Sequence, residues 1–322
     1  MGTNTIPATK TNDFALLVRE GLTKRGQKEL PSKYLYDEIG SALFELICVL
    51  PEYGLTRAEE RIFAKYAADI VSHLPGPVSV AELGSGSGRK TRLLLQALCR
   101  HRALSYFPIE ISPKALASCE RELSDMHCVS VVGLEREYLD GLLEVAAHRV
   151  EGQRLLVLFL GSTMGNFDVP ANLEFLREIR GILWEGDHLL LGADLRKSRD
   201  TLLAAYDDPL GVTSAFNRNL LVRINRELAA DFALDQFAHQ AIFNEQSHSI
   251  EMHLRSLMNQ GVSIPGAGIE VELAEGETIW TETCHKYSLE ELNSIAIQSG
   301  FLPEAIWLDH LWPFADCLWS AR

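Results

Sequence analysis

Glu82-Leu83-Gly84-Ser85-Gly86-Ser87-Gly88 stands where an apolar run from Pro77 to Leu83 gives way to a helical pattern beginning at Arg89. Glycines between a strand and a helix let the backbone turn sharply and approach a ligand closely. A dinucleotide-binding loop needs its third glycine one position later, where this chain has Arg89. Glu110 closes the next apolar run, where a carboxylate can accept both ribose hydroxyls of an adenosine. A second group alternates along Ile279 to Lys286. On a strand Glu282, Cys284 and Lys286 share a face, and a carboxylate next to a thiol can hold a ring N–H. Other chemistries fit less well. The histidines show no HxxxH or HExxH spacing, so no metal is expected. Gly161-Ser162-Thr163-Met164-Gly165 carries Thr163 where a nucleophile elbow needs serine.

The elements that must position these residues can be read from the hydrophobic pattern. After the run ending at Leu83 comes a helix over Arg89 to Arg100, with Leu93, Leu94, Leu95 and Leu98 on a buried face. Leu104 to Ile111 reads as a strand, and Pro113 opens a helix because its fixed φ suits the first helical position. A short strand at Val129 to Val132, a helix from about Arg136 to His148, a strand from Arg154 to Leu160, a helix over Pro170 to Leu183 and a strand over His188 to Asp194 follow. Uniformly apolar strands alternating with helices predict an α/β fold, an open doubly wound, Rossmann-like parallel sheet covered on both faces. Ligands of such sheets sit beyond the carboxyl ends of the strands.

The flanks differ. Residues 1–60 read as helices with turns, and residues 200–240 as helical. From Ala241 the pattern alternates, with Ile250, Met252 and Leu254 on one face and Ile269, Val271 and Leu273 on another, as in antiparallel strands. The tail returns to a helix after Ser288 and strands at Phe301 to Leu308 and Ala315 to Ser320. The expected organisation is one domain from 61–196 plus 287–322, and a second, α+β domain from 1–60 plus 197–286.

Composition narrows the functions. The chain has 322 residues, and at 47% hydrophobic it has ample material for a core. Thirty basic against 44 acidic residues give a net charge of −14, a field that repels phosphate backbones, so nucleic acid is not an expected partner. No window approaches the roughly 18 apolar residues of a membrane span. The N-terminal stretch lacks the apolar core of a signal peptide, and Met1-Gly2 is followed by Ile6 where myristoylation wants Ser or Thr. Cys48, Cys99, Cys119, Cys128, Cys284 and Cys317 form no CxxC pair, as suits a reducing cytoplasm. A monomer is expected.

The GxGxG spacing with Glu110 resembles the S-adenosylmethionine (SAM) loop of class I methyltransferases, although a glycine loop alone is also compatible with a tight strand-to-helix turn. Longer strings carry a more specific likeness. They are Leu50-Pro51-Glu52-Tyr53 with Thr56-Arg57, the loop followed by Lys90-Thr91-Arg92, and Phe159-Leu160-Gly161-Ser162-Thr163-Met164-Gly165-Asn166. Tyr206-Asp207-Asp208 with Gly211-Val212-Thr213, Phe216-Asn217-Arg218-Asn219, and Thr281-Glu282 with Lys286 complete the set. In this order, from about Leu16 to Arg322, the chain resembles the histidine-specific SAM-dependent methyltransferase family.

That resemblance implies a class I methyltransferase fold with a second, substrate-binding domain built from the N-terminal segment and an insertion after the fifth strand. It implies SAM as co-substrate and methylation of the α-amino nitrogen of L-histidine up to three times, giving hercynine, the first step of ergothioneine biosynthesis. Gly84, Ser85, Gly86 and Lys90 fall around the methionine portion of SAM, Glu110 on its ribose, and Leu134 and Glu135 by its adenine. Tyr53, Asn166, Tyr206 and Glu282 fall on the amino acid, with Glu282 on the imidazole; from the residue pattern, Cys284 shares the Glu282 face and Met252, on an apolar strand face of the insertion, is a candidate to line the same pocket. Gly161, through its carbonyl, and Thr163 are candidates to orient the attacking amine, and Asn166 with Tyr206 to hold the carboxylate. Tyr36 is a further, weaker candidate.

Three departures stand out. Cys284 replaces a serine common in the family, and a thiol is a weaker hydrogen-bond partner than a hydroxyl. Gly133-Leu134-Glu135 replaces an Asp-Phe pair, so backbone groups or Glu135 must meet the adenine amino group. Tyr53-Gly54-Leu55 replaces a Tyr-Tyr-Pro string. The alternatives are a methyltransferase of the same family acting on another amino acid, such as a tryptophan derivative, and a catalytically silent SAM-binding protein.

Overall fold

The computed structural model describes residues 8–100, 103–149 and 152–322, with side chains from residue 13 onward. Met1-Gly2 and Ile6, on which the N-terminal targeting expectation rests, lie outside them. The chain divides into two compact units, Gly54–Lys197 with Cys284–Arg322, and the residues up to Tyr53 with Ser198–Thr283. The first crossing comes at Tyr53/Gly54 and not after residue 60, because Leu55–Ser72 is one uninterrupted helix that buries Leu55, Ala58, Ile62, Phe63 and Ile70.

The larger unit is built on seven strands, here β1 (Val78–Leu83), β2 (Leu104–Ile109), β3 (Val129–Val131), β4 (Arg154–Phe159), β5 (His188–Asp194), β6 (Phe301–Asp309) and β7 (Phe314–Ala321). Their order is β6-β7-β5-β4-β1-β2-β3. β1 to β5 pair in parallel, whereas β7 runs antiparallel to both β5 and β6. Every residue of β5, and all of β4 except Arg154, is buried, as expected of strands covered on both faces. Strand order reverses between β1 and β4, so their carboxyl ends flank the crevice where such sheets take ligands.

The helices begin where local chemistry satisfies their first amides. Ser112 caps Pro113–Glu122, with Pro113 in its first turn, and Asp168 caps Val169–Ile182. Ser288 and Glu291 form a reciprocal capping box at Leu289–Gln298. The core between sheet and helices is packed by Phe159, Leu176, Leu191, Leu292 and Trp319.

The smaller unit contains the helices Ala8–Leu22, Glu38–Val49, Arg199–Tyr206 and Val212–Leu228. Its main sheet orders Lys28–Glu29, Thr278–His285, Ser249–Ser256 and Phe237–Asn244. Gln260–Ile264 and Ile269–Leu273 form a separate antiparallel pair. The helical expectation for residues 200–240 fails at its end. Phe237–Asn244 is a strand, paired residue for residue with Ser249–Ser256 in a hairpin, and that pairing overrides weak local preference. Ile250, Met252 and Leu254 are buried. Among the described residues no helix is long and apolar enough to cross a membrane.

Candidate functional site

In the larger unit the loop after β1 takes the left-handed backbone that its glycines permit, with φ of +76° at Gly84, +52° at Gly86 and +72° at Gly88. Each glycine has a different reason. A Cβ on Gly84 would sit 3.0 Å from the Tyr138 hydroxyl, and one on Gly88 would sit 2.6 Å from Cys119 Sγ. Gly86 faces open space. The loop is fastened from below by Glu82, whose fully buried carboxylate accepts from Thr91 Oγ1 at 2.8 Å and from the Tyr106 hydroxyl. Burial pushes the Glu82 pKa up to about 7 against the lowering effect of these donors.

Glu110 lies at the edge of this open space. Its Oε1 accepts from Ser112 N at 3.1 Å and its Oε2 from Gly86 N at 3.4 Å. Burial raises its pKa. The next segment corrects an expectation. Leu134 N donates to Pro108 O at 2.9 Å, and Leu134 O accepts from Glu110 N at 3.1 Å. Both backbone groups of Leu134 are spent on extending β2 and its side chain packs against the core, so Leu134 does not offer its backbone to an adenine. The Leu134 side chain and Glu135 remain the groups expected to meet the adenine.

The turn after β4 holds Gly161 at φ +73° and Ser162, a non-glycine residue, at +59°. Ser162 keeps this uncommon conformation by accepting Asp194 N on its buried Oγ at 2.9 Å. Gly161 N donates to both oxygens of Glu59, at 2.9 and 3.1 Å. Lys90 Nζ pairs with the same carboxylate, and a Cβ on Gly161 would lie 3.1 Å from that nitrogen. Thr163 Oγ1 donates to Leu160 O at 2.9 Å, which turns the oxygen lone pairs of the hydroxyl outward from that bond. Asn166 ends the short 3-10 helix Thr163–Asn166. The structure therefore brings Lys90, Gly161 and Thr163 together around Glu59.

Cys284 and Lys286 also meet here. Lys286 Nζ lies 3.1 Å from Cys284 Sγ and 3.0 Å from Asp194 Oδ2. Burial opposes its charge, but Cys284 and Asp194 outweigh it and hold its pKa above the usual lysine value. Asp194 also accepts from Lys197 Nζ at 2.6 Å and Trp312 Nε1 at 2.9 Å. Burial brings Lys197 down to about 8.

In the smaller unit the predicted residues join an aromatic cluster. The Tyr53 and Tyr206 rings meet edge-on with centroids 6.0 Å apart, and Phe44 lies 6.3 Å from Tyr53. Tyr36 packs edge-on against Phe44 and Phe216, each at 5.4 Å. Its hydroxyl lies 3.4 Å from Glu282 Oε1. Met252 is buried, and its carbonyl accepts from Thr281 Oγ1 at 2.9 Å.

Sequence reasoning missed the residues that hold this cluster. Thr281 Oγ1 donates to Asn217 Oδ1 at 2.7 Å, and Asn217 Nδ2 reaches His239 Nδ1 at 2.9 Å. His239 Nε2 then donates to Tyr206 O at 2.8 Å, and burial depresses the pKa of this imidazole. Asp208 accepts from Val212 N at 3.0 Å and Thr213 N at 2.7 Å, so this part of the motif starts a helix. Glu59 was also missed. It stands four residues after Leu55 and three before Ile62 on a buried helical stripe, and a charge in such a stripe is the signal that could have found it.

The loop of the larger unit leaves room for a ligand with a diol beside a carboxylate, as in a ribose. Gly86 leaves a space a Cβ would narrow, and the Glu110 carboxylate stands beside it. The smaller unit offers a carboxylate and phenol among aromatic rings, suited to a ring carrying an N–H.

A family profile described as "Histidine-specific methyltransferase, SAM-dependent" matches residues 14–321. The histidine N-alpha-methyltransferase of Mycolicibacterium smegmatis is 40% identical over 297 residues, covering 91% of this chain and 90% of that protein. Ergothioneine biosynthesis protein 1 of Neurospora crassa is 34% identical over 203 residues, 63% of this chain and 23% of that protein. The L-tryptophan methyltransferase trpM of Psilocybe serbica is 26% identical over 332 residues, 95% of this chain and 91% of that protein.

Proposed function

The chain belongs to the SAM-dependent, histidine-specific methyltransferase family, and from that premise we propose that it methylates the α-amino nitrogen of L-histidine, up to three times, to give hercynine for ergothioneine biosynthesis. The observation that carries the substrate reading is Glu282, a buried carboxylate with the Tyr36 hydroxyl at 3.4 Å. An imidazole N–H can add a hydrogen bond to such a carboxylate, which a phenyl or isobutyl side chain cannot supply, a difference of about 1–3 kcal/mol.

SAM supplies a methyl group on a sulfonium centre. Gly84, Ser85 and Gly86 let the backbone approach it, Glu110 accepts its ribose hydroxyls, and Lys90 takes its methionine end. The family resemblance assigns Asn166 of the larger unit, and Tyr53 and Tyr206 of the smaller unit, to recognition of the amino acid. Thr163 and the Gly161 carbonyl accept N–H bonds from the primary and then the secondary amine and direct its lone pair; the dimethylated amine of the third transfer has no N–H and is aligned by the rest of the site. The amine must be deprotonated to attack; an α-amino group has a pKa near roughly 8 in peptides and higher in a free amino acid, so a modest shift or a nearby acceptor suffices and no strong base is required. Alignment of nitrogen, methyl and sulfur supplies up to roughly 7–11 kcal/mol in favourable cases. The scattered thiols, none of them placed in a disulfide, favour a cytoplasmic setting.

Mass spectrometry of purified protein with SAM and L-histidine, and with L-tryptophan in parallel, tests the reading. Histidine gaining three methyl groups is the expected result. Turnover of tryptophan alone would reassign the substrate within the family, and SAM binding without turnover of any amino acid would make the protein catalytically silent.

A further inference from the structure

We infer that Glu59 is a positioning residue for methyl transfer, setting the Thr163 hydroxyl through the single peptide plane that joins Leu160 to Gly161. The N–H of that peptide belongs to Gly161 and is held by Glu59 at 2.9 and 3.1 Å. The C=O of the same peptide belongs to Leu160 and accepts the Thr163 hydroxyl at 2.9 Å. A trans peptide is rigid and planar, so fixing its N–H also fixes the direction of its C=O. This plane needs an anchor. A flip between residues 160 and 161 changes φ of Gly161, and glycine accepts either sign at little cost. Glu59 selects one of the two orientations and with it the direction of Thr163.

The surroundings are built around this carboxylate. Glu59 reaches from the helix Leu55–Ser72 and is fully buried. Gly192 on β5 leaves its space, since a Cβ there would fall 2.1 Å from Glu59 Oε1 and 3.2 Å from Gly161 N. The register partner of Gly192 across β5 and β7 is Asp316, whose Oδ1 would lie 3.2 Å from the same Cβ. Asp316 is fully buried, and neither of its oxygens accepts a hydrogen bond. Two neighbouring buried carboxyls do not both ionise. Burial, and then Glu59, hold the Asp316 pKa well above the usual carboxylate range, with Lys90 pulling the other way. Burial beside another carboxyl thus favours the protonated form of Asp316. Glu59 holds Lys90 and the Gly161 amide, Glu82 is the further carboxyl that feels Glu59 and Lys90, and Cys317 adjoins Asp316.

The inference rests on the reading of Thr163 as a group that meets the amine, so the test separates the two. Wild-type turnover of histidine tests the function; Glu59→Met, Glu59→Gln, Thr163→Val and the Glu59→Gln/Thr163→Val double variant test the relay. Glu59→Met should lose kcat by about 10- to 100-fold, the scale of a small misalignment. Glu59→Gln, whose amide oxygen can still accept from Gly161, should recover at least about fivefold of it. The double variant should fall no further than Thr163→Val alone. Multiplicative losses in the double variant, or Met and Gln variants with equal kcat, would overturn the relay. A readout independent of substrate is amide hydrogen exchange at Gly161, expected to speed up by about tenfold or more in Glu59→Met. Unchanged exchange there sinks the proposal whatever amino acid the protein methylates. If Glu59→Met does not fold, the Gln series with its double variant decides alone.

Discussion

The Tyr36 hydroxyl lies 3.4 Å from Oε1 of Glu282, so a phenol and a carboxylate separated by most of the chain face one another. Tyr36 is held for this by edge-on packing against Phe44 and Phe216. Removing the carboxylate should therefore harm recognition more than removing the phenol oxygen. Glu282→Ala is expected to raise KM for histidine about 10- to 100-fold, in line with roughly 1–3 kcal/mol for a buried charged partner. Tyr36→Phe, which keeps the ring packing, should change it less. Steady-state kinetics on both variants check the order, and a larger effect of Tyr36→Phe would assign the imidazole to the wrong group.

The three glycines of the first loop should not behave alike. Gly88→Ala meets Cys119 Sγ at 2.6 Å as well as an unfavourable φ, and Gly84→Ala meets the Tyr138 hydroxyl at 3.0 Å. Gly86→Ala meets only the unfavourable φ, worth roughly 1–2 kcal/mol. Thermal unfolding should rank Gly88→Ala as the least stable and Gly86→Ala as the most. For SAM affinity, measured by calorimetry, Gly86→Ala should still show a clear loss, because its Cβ would enter the open space beside Glu110.

Lys286 is a fully buried cation whose partners are Asp194 and Cys284. Lys286→Met leaves Asp194 with Lys197 and Trp312 and should cost less in urea unfolding than the about 3–5 kcal/mol of a buried pair whose remaining charge is uncompensated. Cys284→Ser supplies a hydroxyl that can accept from the same ammonium and should cost less. Equal losses would mean that the ion pair is not what Lys286 contributes.

Glu82 gives the stability of the larger unit a pH dependence of definite sign. Its folded pKa of about 7 lies above the ordinary 4.5 because burial disfavours its charge. The folded state holds this proton more tightly, so the contribution is complete below pH 4.5 and is lost as pH rises through about 7. A shift of this size corresponds to roughly 3 kcal/mol. Glu82→Gln should remove that component. The difference in unfolding free energy between wild type and variant should change between pH 5 and pH 8, with wild type losing ground as pH rises. A pH-independent difference would show that Glu82 is ionised throughout.

Much of this protein was legible without coordinates wherever the information was local. The alternation of apolar runs with helical stretches pointed to the parallel strands β1 to β5, because strands covered on both faces are apolar throughout. His188–Asp194 was delimited to the residue, and Ser288 announced the helix that follows it. Gly84, Gly86 and Gly88 pointed to a loop with positive φ, and Glu110 to a carboxylate beside it. Tertiary structure alone decided which residues meet across long separations. Phe237–Asn244 became a strand because a hairpin partner was present. Leu134 lost its backbone to β2. Asp316 came beside Glu59 because β7 inserts between β5 and β6 and sets Asp316 opposite Gly192. Periodicity records which face of an element is buried, but the charge state and partner of a buried carboxyl depend on strand order and on side chains distant in sequence. That is why Asp316, and the partners of Glu59, emerged only from the fold.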